Sequence, residues 1–420
     1  MIILTINCGS SSVKYLVYDW DKKKELARGI VERVTIGGSF VRHKPTGKDE
    51  IKIEGDCPTH KEAIQLVVQT LTDPEIGVIE DLKDIDAVGH RVVHGGEEFT
   101  SSVRINKDVL KTFKKLQDLA PLHNPPNIMG IEAAMELLPH TPHIAVMDTA
   151  FHSTMPEVSY IYAVPYYWYK DYGVRKYGFH GTSHLYVSRR ATVLLGKDIE
   201  DTNLITCHIG NGVSLTAIKN GKSFDHSMGF TPLEGLVMGT RSGDIDPAVV
   251  KFISEKENKE VSEVINDLNR KSGLLGLSGK WADRRDINKE MEKGNRRATL
   301  AFKKEAHRLK KYIGGYIAIL GSVDAIVFTA GAGEKAVELR EVVCSGMEQL
   351  GIKLDRKKNS MERGKREAVV STQDSPIKIF IIPTNEEIVF VEDVVGILKG
   401  KYKSSETFNY SFSSPDCKNK

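Results

Sequence analysis

The sequence predicts a two-domain α/β protein. Three observations carry this: strand-like runs alternate with helical periodicity, the chain is too long for one compact core, and a strand-turn-strand pattern recurs near half its length. The chain has 420 residues, 40% of them hydrophobic and 27% charged. Fifty-nine Lys and Arg stand against 56 Asp and Glu, so the formal charge is only +3. That balance gives no bulk electrostatic case for nucleic acid or an anionic membrane, and any anion site must be local.

The first residues, MIILTIN, are apolar without a basic leader and read as a first strand, not a signal peptide. The longest apolar stretch, 312–333, is interrupted by Asp324, so a cytoplasmic, unanchored protein is expected. Cys8, Cys57, Cys207, Cys344 and Cys417 show neither paired nor ligand-like spacing, which points to reduced thiols in a reducing compartment. A capping box at Thr59 and Glu62 opens a helix over 59–72, with Ala63, Ile64, Val67, Val68 and Leu71 at helical spacing. A longer helix is expected over 295–320, weakened near Gly314 and Gly315. Strands are expected at 144–148, 204–209, 325–330 and 377–383. The segment 401–420 holds five serines and no aliphatic residue, so it reads as a flexible tail.

Sliding the chain by 201 residues lays LTINCGSSS (4–12) on ITCHIGNGV (205–213), with Gly9 on Gly210. The two are either unrelated β-turns or a duplicated hairpin whose bare turn amides form an anion-binding concavity.

Several segments carry residues suited to chemistry. NCGSSSVK offers Ser10, Ser12 and the mobile charge of Lys14 to phosphate, or is a structural Ser-rich turn. In HRVVHGG, Arg91 either pairs a carboxylate bidentately while the apolar wall of Val92 and Val93 receives its short alkyl part, or is a plain surface arginine. LAPLHNPPN is either a rigid loop that holds Leu122 or a helix cap. Asp148 ends an apolar strand, where open α/β sheets place ligands or where a helix cap sits. YGFHGTSH brackets His180 with glycines and suggests a fixed imidazole. MGFTPLEGLVMGTRSGDIDP carries Arg241 in a glycine-punctuated loop. SGKWADRRD and TAGAGEKA supply an arginine pair and a strand-to-helix turn, and PTNEE places two carboxylates after a strand, either hard oxygen ligands of the kind Mg2+ prefers or a solvated Glu pair.

In these blocks, from NCGSSSVKY and GHRVVHGG through DTAFH and HIGNG to PTNEE, the chain resembles the acetate kinase family over nearly its whole length. The resemblance implies the duplicated actin, Hsp70 and sugar-kinase fold with a central cleft. It implies domains at 1–150, with 386–400 returning to the first, and 151–385, and a homodimer. It further implies reversible Mg2+-dependent phosphoryl transfer from ATP to acetate, giving ADP and acetyl phosphate and linking acetate with acetyl-CoA metabolism. Mn2+ can stand in for Mg2+. A propionate or other short-chain carboxylate kinase is the alternative.

Position by position, Asn7 and Glu386 would hold the metal, with Asp148 contributing. Ser10, Ser12, Lys14, His208, Ile209, Gly210, Asn211 and Gly212 would face phosphate. Arg91, Arg241 and His180 would flank the transferring group. The acetate methyl would sit among Val93, Leu122, Phe179 and Pro232. Asp283, Arg284, Arg285, Gly331, Ala332, Gly333, Glu334 and Lys335 would meet the nucleoside. On that last side the chain departs from the family: AGAGEK stands where GGIGEN is usual, and Lys280, Trp281 and Arg284 replace smaller or neutral groups. Loosened base discrimination is therefore expected.

Overall fold

The computed structural model describes residues 1–120 and 123–417. The chain forms two compact units, Met1–Phe151 joined by Asn385–Tyr410, and His152–Thr384 joined by the residues from Ser411 on.

The first unit is built on β1 (Ile2–Cys8), β2 (Ser12–Asp19), β3 (Lys24–Glu32), β4 (Phe40–Pro45), β5 (Ile51–Glu54), β6 (Ile85–Val92), β7 (Val103–Arg104) and β8 (His143–Met147). Their order in one sheet is β5-β4-β3-β2-β1-β6-β8-β7. β1 and β2 pair antiparallel with Asn7 opposite Lys14, whereas β1 with β6 and β6 with β8 are parallel. Alternate residues of a strand face opposite sides, so neighbouring Ile3 and Leu4 enter different cores. Leu4, Ile6 and Val13 pack on Ala63, Ile64 and Val67 of the helix His60–Leu71 and on Ala133 and Ala134 of the helix Asn124–Leu137. Ile3, Leu16 and Val146 pack on Phe390, Val391 and Val394 of the helix Glu386–Leu398. The sheet is thus covered on both faces, which suits its buried parallel strands. The expected capping box at Thr59 and Glu62 is present, and Pro125 and Pro126 open the helix Asn124–Leu137, where their missing N–H groups leave no helical bond unmade.

The second unit repeats the topology. β9 (Leu204–Ile209), β10 (Val213–Lys219), β11 (Lys222–His226), β12 (Ala325–Thr329), β13 (Ala368–Val369) and β14 (Lys378–Ile381) lie in the order β11-β10-β9-β12-β14-β13. β9 is antiparallel to β10 and parallel to β12, and β12 is parallel to β14. This matches β2-β1-β6-β8 strand for strand, so the similarity between residues 4–12 and 205–213 reflects a duplicated α/β fold and not two unrelated turns.

The long helix expected over 295–320 is present as Arg296–Leu320 and runs unbroken through Gly314 and Gly315. Each glycine costs about 1 kcal/mol of propensity, but Leu309, Ile313, Tyr316 and Leu320 anchor the helix on both sides of them. Residues 401–417 are not a loose tail: Ser405, Tyr410 and Phe412 are buried. Tyr410 donates to Asp393 at 2.7 Å, and the Phe412 carbonyl accepts from Arg190 at 2.9 Å. Large aromatic side chains bury enough surface to offset ordering where aliphatic residues are lacking. Among the described residues, no helix is long and apolar enough to cross a membrane.

Candidate active site

In the first unit the parallel strands β1, β6 and β8 deliver polar residues to one carboxyl edge, the position at which open α/β sheets hold ligands. Asn7 stands near the end of β1, Arg91 near the end of β6, and Asp148 directly after β8, where its N–H donates to the Val92 carbonyl at 3.0 Å. Arg91 Nε donates to Asp148 Oδ1 at 2.9 Å and Nη2 to Oδ2, a bidentate pair, while Nη1 reaches Asn7 Oδ1 at 3.5 Å. The Asp148 side chain is only 1% exposed and that of Arg91 24%. Burial works against the charge of Arg91, but the Asp148 carboxylate and its hydrogen bonds, with Glu386 nearby, outweigh it and hold the guanidinium pKa above its ordinary value. The Asp148 cap reading is thereby set aside in favour of an ion pair.

Val93 follows in the same unit and is buried. Its N–H donates to Asn127 Oδ1 at 3.0 Å, and Asn127 Nδ2 donates to the Cys8 carbonyl at 2.7 Å. Asn124 likewise accepts from His94 N and donates to His94 O. The proline-led helix start therefore fixes the Val93 backbone. Leu122, expected beside it, lies outside the described residues. The turn after β1 is closed by Gly9 N–H donating to the Ser12 carbonyl at 2.8 Å, with Ser10 exposed on the turn, Ser12 half-buried at the start of β2 and Lys14 exposed on that strand.

In the second unit the matching turn joins β9 to β10. His180 precedes the helix Gly181–Leu195 in a left-handed conformation, φ 56°. Its Nδ1 shares a hydrogen bond with Ser214 Oγ at 2.8 Å, and the same hydroxyl meets His184 Nε2 at 2.8 Å. The His180 ring stacks on His208 at 4.1 Å between centroids. His208 in turn bonds Ser183, and Ser183 bonds Thr384. Burial, then its imidazole neighbours, pushes His184 well below its ordinary pKa, so it is neutral at pH 7. A Cβ on Gly212 would lie 3.3 Å from His180 Nε2 and 3.4 Å from Arg241 Nη1. A glycine there lets the imidazole and the guanidinium approach one turn.

Arg241 Nη1 reaches the Pro232 carbonyl at 3.4 Å. Burial lowers its pKa, and among the described residues no carboxylate forms an ion pair with it. A desolvated cation without a counter-charge is unfavourable until an anion arrives. Phe179 is buried, its N–H donating to His226 Nε2 at 3.1 Å.

The expected nucleoside residues divide. Asp283 caps the helix Arg284–Glu292 and pairs with the exposed Arg285, whose hydrogen bonds hold the Asp283 carboxyl below its usual range. Arg284 turns inward, with Nη1 on the Gly210 carbonyl at 2.7 Å and Nε on Glu305 Oε1 at 2.8 Å. The segment Ala330–Lys335 is a short helix whose Gly331 and Lys335 are exposed, with Ala332 half-buried and Gly333 buried. Burial raises the pKa of Glu334, against the N–H that Thr384 donates to it.

Asn124, Asn127, Ser214 and Glu305 were not singled out from the sequence. Of these, Glu305 had a signal, a carboxylate on the apolar face with Ala298, Phe302 and Leu309. The asparagines lie inside the NPPN block but act on strands far away in sequence.

Residues 2–392 match the family model described as the acetokinase family. The acetate kinase of Trichlorobacter lovleyi is 58% identical over 418 residues, 99% of each chain. The crystal structure of Porphyromonas gingivalis acetate kinase superposes with a TM-score of 0.90 at 47% identity, covering 94% of this chain and 99% of that one. A propionate kinase from Francisella tularensis gives 0.87 at 40% identity, covering 93% and 98%. A match over nearly the full length, on the blocks that carry Arg91, Asp148, His180 and Arg241, places the chain in the acetokinase family.

Proposed function

We propose that the protein transfers the terminal phosphoryl group of ATP reversibly to acetate, giving ADP and acetyl phosphate. The observation that carries this reading is Arg241, a desolvated cation without an ion-pair partner among the described residues, beside His180 and the Gly212 turn. A carboxylate is ionised at pH 7 and needs no general base. One acetate oxygen forms a bond to the γ-phosphorus as the bond to the bridging oxygen breaks and ADP leaves. Catalysis then consists of in-line positioning and neutralisation of the equatorial oxygens. Arg91, Arg241 and His180 serve that neutralisation, the Ser214 hydroxyl holding the imidazole. Val93, Phe179, Pro232 and Leu122 receive the methyl group. Ser10, Ser12, Lys14, His208 and the amides of Asn211 and Gly212 meet phosphate.

Asn7, Asp148 and Glu386 offer the oxygen donors that Mg2+ prefers. No group of three His, Cys, Asp or Glu among the described residues could hold a metal alone. That suits an ion that keeps waters and takes substrate oxygens, and Mn2+ is expected to replace it. Bound there, Mg2+ supplies further charge neutralisation on the phosphates. The five free cysteines suit a cytoplasmic setting, and exposed Val158, Tyr166, Tyr167 and Tyr172 offer an apolar surface that a homodimer would cover.

Incubation with MgATP and acetate, with hydroxylamine as trap, tests the reading. The expected product is the acyl hydroxamate. ATP loss independent of acetate, without hydroxamate, would overturn it.

A further inference from the structure

The turn between β9 and β10 has each of its three carbonyls tied from behind. Gly212 O accepts from Gly210 N–H at 3.0 Å, Asn211 O from Gly239 N–H at 3.0 Å, and Gly210 O from Arg284 Nη1 at 2.7 Å. The first two are backbone bonds, and the third comes from a side chain on another element. A trans peptide is planar, with its C=O and the next N–H pointing in opposite directions. Holding the Gly210 carbonyl inward therefore turns the Asn211 N–H outward, and holding the Asn211 carbonyl does the same for the Gly212 N–H. Neither amide has a hydrogen-bond partner among the described residues. Glycines on both sides of Asn211 leave these peptides free to rotate unless something fixes them.

Arg284 is itself fixed. Its Nε and Nη2 donate to Glu305 Oε1 at 2.8 and 2.5 Å. The Glu305 side chain is 1% exposed and that of Arg284 14%. A carboxylate sunk into the apolar face of the helix Arg296–Leu320 is tolerable only with its charge met. The pair also leaves the guanidinium one orientation, with Nη1 on the turn.

The first unit has a counterpart of different chemistry. His60, 1% exposed, donates from Nε2 to the Gly9 carbonyl at 2.7 Å, and Gly9 is the residue that aligns with Gly210. Holding that carbonyl turns the Ser10 N–H outward by the same geometry. Two turns of one duplicated fold thus keep the same carbonyl pinned, by an imidazole in one and a guanidinium in the other.

We propose that Arg284, locked by Glu305, is a positioning residue for nucleotide phosphate: it holds the Gly210 carbonyl and so aims the Asn211 and Gly212 amides at the phosphate oxygens. This rests on the phosphoryl-transfer reading above and moves Arg284 from the nucleoside to the phosphate. The role requires the planar fork, because a lysine keeps the charge but cannot bridge Glu305 and Gly210 in one fixed geometry.

Steady-state kinetics on Arg284→Lys and Glu305→Gln, with ATP, GTP and ITP, tests it. Arg284→Lys is expected to raise KM for all three nucleotides about tenfold, equivalent to about 1.4 kcal/mol, with KM for acetate within twofold of wild type. Glu305→Gln, which keeps the shape and one acceptor, should move the same constants in the same direction by about threefold, and it serves alone if the lysine variant does not fold. Unchanged nucleotide KM in folded variants overturns the proposal. So does a rise confined to one base, which would make Arg284 a base contact, or an equal rise for acetate with a lower melting temperature, which would make the pair a general structural support. A wild-type protein without acetate-dependent turnover would instead overturn the phosphoryl-transfer reading.

Discussion

Arg91 and Asp148, 57 residues apart, close a two-armed ion pair at the carboxyl edge of β6 and β8. Asp148 thereby meets the charge of the arginine and fixes its plane, with Asn7 at the third nitrogen. Replacing Asp148 with Asn keeps the shape but removes the counter-charge, and breaking a buried pair in this way costs about 3 to 5 kcal/mol. Asp148→Asn should therefore lower both the melting temperature and kcat. A variant with wild-type stability and turnover would show that the pair holds nothing in place.

Arg241 is expected to behave differently, since no carboxylate pairs with it. Arg241→Ala should lower kcat by roughly 10³ to 10⁵, the range for arginines that neutralise a transferring phosphoryl group. Its melting temperature should hold or rise, because a desolvated charge is removed. Near-normal kcat in a folded variant would take Arg241 out of the mechanism.

The Val93 side chain is buried and its backbone is held by Asn127. Val93→Ala opens room for one more methylene, a change that alters discrimination by about 1 to 3 kcal/mol. The ratio of kcat/KM for propionate over acetate should rise, and an unchanged ratio would place Val93 away from the acyl group.

Burial pushes the Asp393 carboxyl up to about 7, against hydrogen bonds from Ser102, Tyr410 and Tyr402, with Glu392 adding to the rise. Unfolded, the group titrates near 3.9. Between about pH 4 and 7 the folded state holds the proton more tightly, so this contribution is fully present below the unfolded pKa and is lost as pH rises through 7. At full extent it is on the order of 4 kcal/mol. Melting temperatures at pH 5 and pH 8 should differ less in Asp393→Asn than in wild type. Equal differences would show that other groups set the pH response.

Lys335 is exposed on the helix Ala330–Lys335, and an ammonium donates without accepting. GTP and ITP are expected within about tenfold of ATP in kcat/KM, a gap of about 1.4 kcal/mol, and Lys335→Asn should widen it. Strict ATP selectivity in the wild type would mean that Lys335 does not face the base.

Chemistry that depends on neighbours in the chain was readable from residues alone. The Thr59 capping box, the strands ending at Met147 and Ile209 and the paired glycine turns all follow from spacing, because hydrogen bonds within a turn or helix start involve residues a few positions apart. The duplication was readable for the same reason, as a local pattern met twice. Folding decided the rest. Arg284 and Arg285 are adjacent and look equivalent in sequence, yet one is drawn inward by Glu305, 21 residues away, and the other lies exposed on Asp283. The order of residues 401–417 rests on Asp393 and Arg190 meeting Tyr410 and Phe412, partners set by the packing of other elements. Which of two like side chains finds a buried counter-charge is settled by long-range packing, and no periodicity in the chain records it.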